Sequence, residues 1–168
     1  MSSDLLSKEE LPAQIPIGLV ADFLQEKRWL LATAESCTGG MISAACTDLA
    51  GSSAWFERGF VTYSNEAKTE LLGVDAASIK KHGAVSEEVA RAMAQGALDR
   101  SRAQVSIAVT GVAGPTGGSA AKPVGTVWFG FSVGGQVTSE IRRFDGDRAA
   151  VRSATVAHAI QRLLELLG

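Results

Sequence analysis

The chain has 168 residues, a length that suits one domain with a sizeable core and leaves no need for a disulfide or metal staple. Its 16 basic residues are dispersed among 18 acidic ones, for a formal net charge of −2, which excludes the basic footprint of a nucleic-acid-binding protein. The two cysteines, Cys37 and Cys46, support neither a disulfide framework nor a cysteine zinc site, and no stretch has the length and apolarity of a membrane span.

The opening Met1-Ser2-Ser3-Asp4-Leu5-Leu6 lacks the charged-then-apolar pattern of a signal peptide, so the cytoplasm is the expected compartment. Residues 1–12 read as a polar arm and 13–168 as a single domain. Ile17, Val20, Phe23 and Leu24 recur at helical spacing and predict a helix ending near Lys27-Arg28. The apolar run from Trp29 to Ala34 predicts a strand, and Gly39 to Asp48 a helix. Gly51-Ser52-Ser53 breaks that pattern before a strand from Phe56 to Tyr63.

Ser64 or Asn65 can cap a short helix over Glu66 to Leu72, closed by Gly73. Asp75 caps a second short helix that stops at His82-Gly83. Ser86 caps a longer one, Glu87 to about Ser101, whose early glutamates complement the helix dipole. Val105 to Thr110 reads as a buried strand. Thr126 to Phe129 and Gln136 to Ser139 flank Gly134-Gly135, which suits a type I′ hairpin. Asp147 caps a last helix with Val156, Ile160, Leu163 and Leu167 on one stripe. Helices alternating with strands, plus one hairpin, predict an α/β fold, a three-layer α/β/α sandwich over a mixed sheet.

Ser36 stands where a strand gives way to Glu35-Ser36-Cys37-Thr38-Gly39-Gly40 and then to a helix. Such a turn exposes a hydroxyl next to the free N–H groups of a first helical turn, a setting for an acyl-transfer nucleophile or a phosphate. Read alone, Ser36 or Thr38 serves equally as a helix cap. Cys37 is a competing nucleophile, although neighbouring side chains diverge and only one of the pair faces a given pocket.

Thr110-Gly111-Val112-Ala113-Gly114-Pro115-Thr116-Gly117-Gly118 follows a buried strand as the Ser36 turn does, so the two loops can meet at one sheet edge. It matches neither the dinucleotide fingerprint nor a Walker loop. It reads as a backbone-rich anion cradle or as a long surface loop.

In Tyr63-Ser64-Asn65-Glu66-Ala67-Lys68, a lysine early in a helix opposes the dipole, which lowers its proton affinity. A neutral Lys68 is a candidate base for a serine, with Tyr63 relaying that proton or steadying the developing charge, and the alternative is a solvated surface lysine beside a strand aromatic. Arg148, after Gly146-Asp147, offers a planar fork for phosphate, and read alone it serves equally as an exposed helix arginine. His82 and His158 show no zinc-ligand spacing, so no metal and no cofactor is expected.

Together these blocks, with Gly51 to Tyr63, His82-Gly83-Ala84-Val85-Ser86 and Lys122-Pro123-Val124-Gly125-Thr126-Val127, resemble the CinA C-terminal domain family, and closely its stand-alone members, the nicotinamide-nucleotide amidases. The resemblance runs from about Trp29 to Arg148. It implies an α/β/α fold and a metal-free amidase that converts nicotinamide mononucleotide to nicotinate mononucleotide and ammonia in pyridine nucleotide salvage. It also implies that Ser36 acts with Lys68 and Tyr63.

On that reading the substrate is a small nucleotide, and N–H groups within Thr38, Gly39 and Gly40 hold the oxyanion. Thr110, Gly111, Gly114, Gly117, Gly118 and Arg148 bind the rest of the substrate, its phosphate above all. A homo-oligomer is expected by the same resemblance. Functions of the large N-terminal domain that many relatives carry are not expected to transfer. The alternative is a nucleotide-binding regulatory module of the same fold without hydrolysis.

Overall fold

The structure, a computed structural model, describes residues 15–168, so the predicted polar arm lies outside the described residues. In chain order the elements are α1 (Ile17–Lys27), β1 (Leu31–Glu35), α2 (Met41–Thr47), β2 (Phe56–Val61), α3 (Asn65–Leu72), α4 (Ala76–His82), α5 (Glu87–Asp99), β3 (Val105–Gly111), β4 (Thr126–Val133), β5 (Gln136–Arg143) and α6 (Arg148–Leu167). Among the described residues no helix is long and apolar enough to cross a membrane.

The five strands form one mixed sheet in the order β2-β1-β3-β4-β5. β1 pairs in parallel with both β2 and β3, and the β3–β4 and β4–β5 pairs are antiparallel. Because side chains alternate along a strand, β1 contributes to two cores. Leu31 joins an apolar cluster with Val20 and Leu24 of α1, Ile42 of α2 and Ile160 and Leu163 of α6. Ala32 and Ala34 join the opposite cluster, with Leu72 of α3, Ile79 of α4 and Val89 and Met93 of α5. That is the three-layer α/β/α sandwich expected, and its helices are capped locally. Ser64, Asp75, Ser86 and Asp147 each accept a backbone N–H in the first turn of α3, α4, α5 and α6, worth about 1 kcal/mol apiece.

Several boundaries differ from the sequence reading, among them β2, which stops at Val61, and β5, which runs on to Arg143, and two have clear local reasons. Trp29 precedes β1, because Arg28 adopts a left-handed conformation (φ 56°) and the Trp29 N–H closes back on the Leu24 carbonyl at 2.8 Å, which ends α1. β4 also runs four residues past Phe129. Gly130, which breaks the strand pattern in the sequence, is where α5 crosses closest, and a Cβ there would lie 2.4 Å from the Ala90 carbonyl oxygen. The hairpin turn has positive φ at both Gly134 (56°) and Gly135 (87°), as a type I′ turn requires.

The topology dictates where chemistry can sit. From β1 the chain moves to β2 on one side and later to β3 on the other, so the carboxyl ends of three parallel strands open around a switch point at β1. Ser36, Thr62-Tyr63 and Gly111 stand at those three ends.

Candidate active site

Alternation along β1 carries into the turn. Glu35 is fully buried and its carboxylate lies under the start of α2. It accepts the Thr38 hydroxyl at 2.6 Å, the Ile42 N–H at 2.8 Å, and the Ser43 N–H and hydroxyl at 3.1 and 2.9 Å. The Ile42 and Ser43 amides in the first turn of α2 are therefore occupied from inside by a neighbour of the serine, and the buried carboxyl group is held by four donors.

Ser36 points to the other face, where α3 brings in Lys68. Lys68 Nζ stands 3.0 Å from Ser36 Oγ, 3.0 Å from the Thr62 carbonyl and 3.2 Å from the Tyr63 carbonyl. The Lys68 side chain is among the most deeply buried large groups, and among the described residues no carboxylate lies within ion-pair distance of it. Burial without a counter-ion pushes the amine's pKa below its ordinary value. The shift is toward the neutral form. Lys68 Nζ donates to the Ser36 hydroxyl and to the two carbonyls, and a hydroxyl, unlike a carbonyl, can turn to donate back once the amine is neutral.

The two residues share a cavity of about 270 Å³ with Tyr63, Asn65, Thr110 and Arg148. Thr110 is buried and its hydroxyl donates to the Ala84 carbonyl at 2.9 Å, fixing the end of β3 to the segment before α5. Arg148 Nη1 donates to the Gly114 carbonyl at 2.9 Å, and its Nη2 lies 3.5 Å from the Tyr63 hydroxyl. Arg148 also borders a second cavity of about 670 Å³ lined by Ala113, Pro115, Val124 and Arg152, so Arg148 and Ala113 belong to both.

Tyr63 enters the site in an unexpected way. The residue is 65% exposed, its phenol meets Arg148, and the atom it gives to Lys68 is its backbone carbonyl. Cys37 is buried in the α1/α2/α6 core, where burial raises its thiol pKa to about 11 and the nearby Glu35 charge adds to the rise.

Several expected ligands of substrate lie elsewhere. Thr38 is buried with its hydroxyl on Glu35, the Gly39 N–H is spent on the Ser36 carbonyl at 3.1 Å, and Gly40 is the cap residue of α2; none of the three lines the cavity. Gly117 and Gly118 are exposed and border neither cavity that Arg148 touches.

The sequence reading missed Glu35 and Arg152. Arg152 donates from Nε to the Cys37 carbonyl at 3.1 Å and from Nη2 to the Thr38 carbonyl at 3.2 Å, which ties α6 to the turn. Its signal was available: Arg152 follows Arg148 by four residues, one helical turn on the same face.

The profile described as CinA C-terminal domain matches residues 16–167. The "Nicotinamide-nucleotide amidohydrolase PncC" of Pseudomonas putida is 58% identical over 134 residues, covering 80% of this chain and 84% of that protein. The protein of the same name from Enterobacter agglomerans is 55% identical over 142 residues, covering 84% and 87%. The crystal structure of the competence-damaged protein (CinA) superfamily protein from Enterobacter cloacae aligns with a TM-score of 0.88 at 32% identity, over 100% of this chain and 99% of that one. With a profile match over nearly all described residues and relatives this similar over most of both lengths, the chain belongs to the CinA C-terminal domain family.

Proposed function

We propose that this protein is an amidohydrolase that converts nicotinamide mononucleotide and water to nicotinate mononucleotide and ammonia. The observation that carries the reading is the buried Lys68 amine, without a counter-ion among the described residues, 3.0 Å from Ser36 Oγ. A hydroxyl is a weak nucleophile at neutral pH, and a neutral amine at hydrogen-bond distance is the base it needs. Relatives that carry the amidohydrolase name over most of both chains support the substrate class.

In the proposed cycle Lys68 takes the Ser36 proton as Oγ bonds to the carboxamide carbon, giving a tetrahedral anion. The C–N bond then breaks, the Lys68 proton goes to the leaving nitrogen, and ammonia departs from an acyl-serine ester. Water, deprotonated by the neutral Lys68, attacks that ester and restores Ser36. The Thr62 and Tyr63 carbonyls hold the amine through both steps and stabilise it when it is transiently protonated. Arg148 receives the phosphate at the junction of the two cavities, with the Tyr63 phenol beside it, so that remote binding energy orients the amide.

The experiment is ammonia release by the purified chain from nicotinamide mononucleotide, nicotinamide riboside and free nicotinamide. Turnover is expected with the mononucleotide and at least 10²-fold lower kcat/KM without the phosphate. Binding of the mononucleotide with no ammonia released would overturn the enzyme in favour of a regulatory nucleotide-binding module.

A further inference from the structure

In a parallel pair, the N–H and C=O of alternate residues face the same neighbouring strand. The Val109 carbonyl of β3 accepts the Ser36 N–H at 3.1 Å, on the β1 side, whereas the Val112 N–H goes the other way, to the Thr126 carbonyl at 2.9 Å. The N–H of Gly111, two residues after Val109 and still in β3, therefore faces the β1 side. There the ladder would continue with Gly111 N–H donating to the Ser36 carbonyl. That carbonyl instead accepts the Gly39 N–H at 3.1 Å, because the chain has turned away at Ser36. Among the described residues the Gly111 amide meets no protein acceptor, and Gly111 lines the cavity that holds Ser36 and Lys68.

We propose that the Gly111 backbone N–H is the oxyanion donor of this site. Resting on the amidase reading above, the inference moves the donor from the Ser36 turn to the neighbouring strand. Adjacent strands lie about 4.8 Å apart, so a carbonyl carbon bonded to Ser36 Oγ projects its oxygen into the gap that the missing ladder bond leaves open. The donor is held on a strand before the reaction starts, as electrostatic stabilisation of developing charge requires. Glycine at this position follows from packing, since a Cβ would lie 2.7 Å from Val127 Cγ2 and 2.9 Å from the Thr126 carbonyl oxygen.

Because a Gly111→Ala change would disturb that packing, the test replaces the amide itself. Gly111→glycolate, made by ligation in the full chain, swaps N–H for an ester oxygen. Expected on nicotinamide mononucleotide is a fall in kcat of about 10²-fold or more, with KM within threefold and a smaller loss of melting temperature than the same exchange at Val112, whose N–H is bonded. A kcat within threefold of the unmodified protein would overturn the assignment and leave the amidase standing. Equal falls in kcat and melting temperature at both positions would make Gly111 a merely structural amide and overturn it too. An unmodified chain that releases no ammonia would sink the amidase reading and this inference with it.

Discussion

Arg152 donates its Nε to the Cys37 carbonyl, 115 residues earlier in the chain, and so clamps the peptide that follows the candidate nucleophile onto the last helix. With its second bond to the Thr38 carbonyl, the guanidinium fixes two successive peptide planes, which a lysine ammonium cannot match. Arg152→Ala is expected to lower kcat/KM about tenfold or more, equally for nicotinamide mononucleotide and nicotinamide riboside, and Arg152→Lys to recover little of it. A loss confined to the phosphorylated substrate would assign Arg152 to the phosphate instead.

Arg148 gives the opposite pattern. One of its nitrogens is held by the Gly114 carbonyl, the other lies near the Tyr63 hydroxyl, and the residue lines both cavities. Arg148→Ala should raise KM for nicotinamide mononucleotide by about 10²-fold, the scale of a lost charged phosphate contact, and leave nicotinamide riboside within about threefold. Parallel steady-state kinetics on the two substrates reads this directly.

Burial of Lys68 has a thermodynamic signature. The folded pKa is depressed, so between it and the unfolded value of about 10.4 the unfolded chain binds more protons. The cost of the buried amine is full below the folded pKa and fades as pH rises through that window. Relative to Lys68→Met, the wild type should gain stability as pH increases toward about 10, measured as the gap between urea midpoints. A gap independent of pH would mean that Lys68 keeps its ordinary proton affinity in the fold.

The thiol beside the serine is predicted to be a bystander. With its pKa pushed up to about 11, Cys37 stays protonated at pH 8 and should react with iodoacetamide far more slowly than a free thiol. Cys37→Ala should retain activity within about fivefold. Loss of turnover in Cys37→Ala, with Ser36→Ala still active, would transfer the nucleophile to sulfur.

Local rules made the layers, the caps of α3 to α6 and the I′ hairpin legible in the sequence, because each depends on a few adjacent residues. Ser36 and Lys68 were legible as candidates through their positions at element boundaries. Their mutual distance was not, since it depends on β1 and β2 pairing in parallel so that α3 covers the same face as Ser36. Glu35 escaped notice for a similar reason. A carboxylate that caps a helix seven and eight residues ahead obeys no short-range capping pattern, and only the fold shows that it occupies the Ile42 and Ser43 amides at the start of α2. The glycine-rich segment was legible as a loop, but its composition could not tell Gly111, on the strand and in the cavity, from Gly117 and Gly118 in solvent.

The pairing of an alcohol with an uncharged amine is tested most directly by initial rates of ammonia release from nicotinamide mononucleotide, wild type beside Ser36→Ala and Lys68→Ala, each confirmed folded by circular dichroism. Both variants should lose at least 10³-fold in kcat, as expected for removing a nucleophile or its base. Turnover within tenfold of wild type in either one would contradict the pairing.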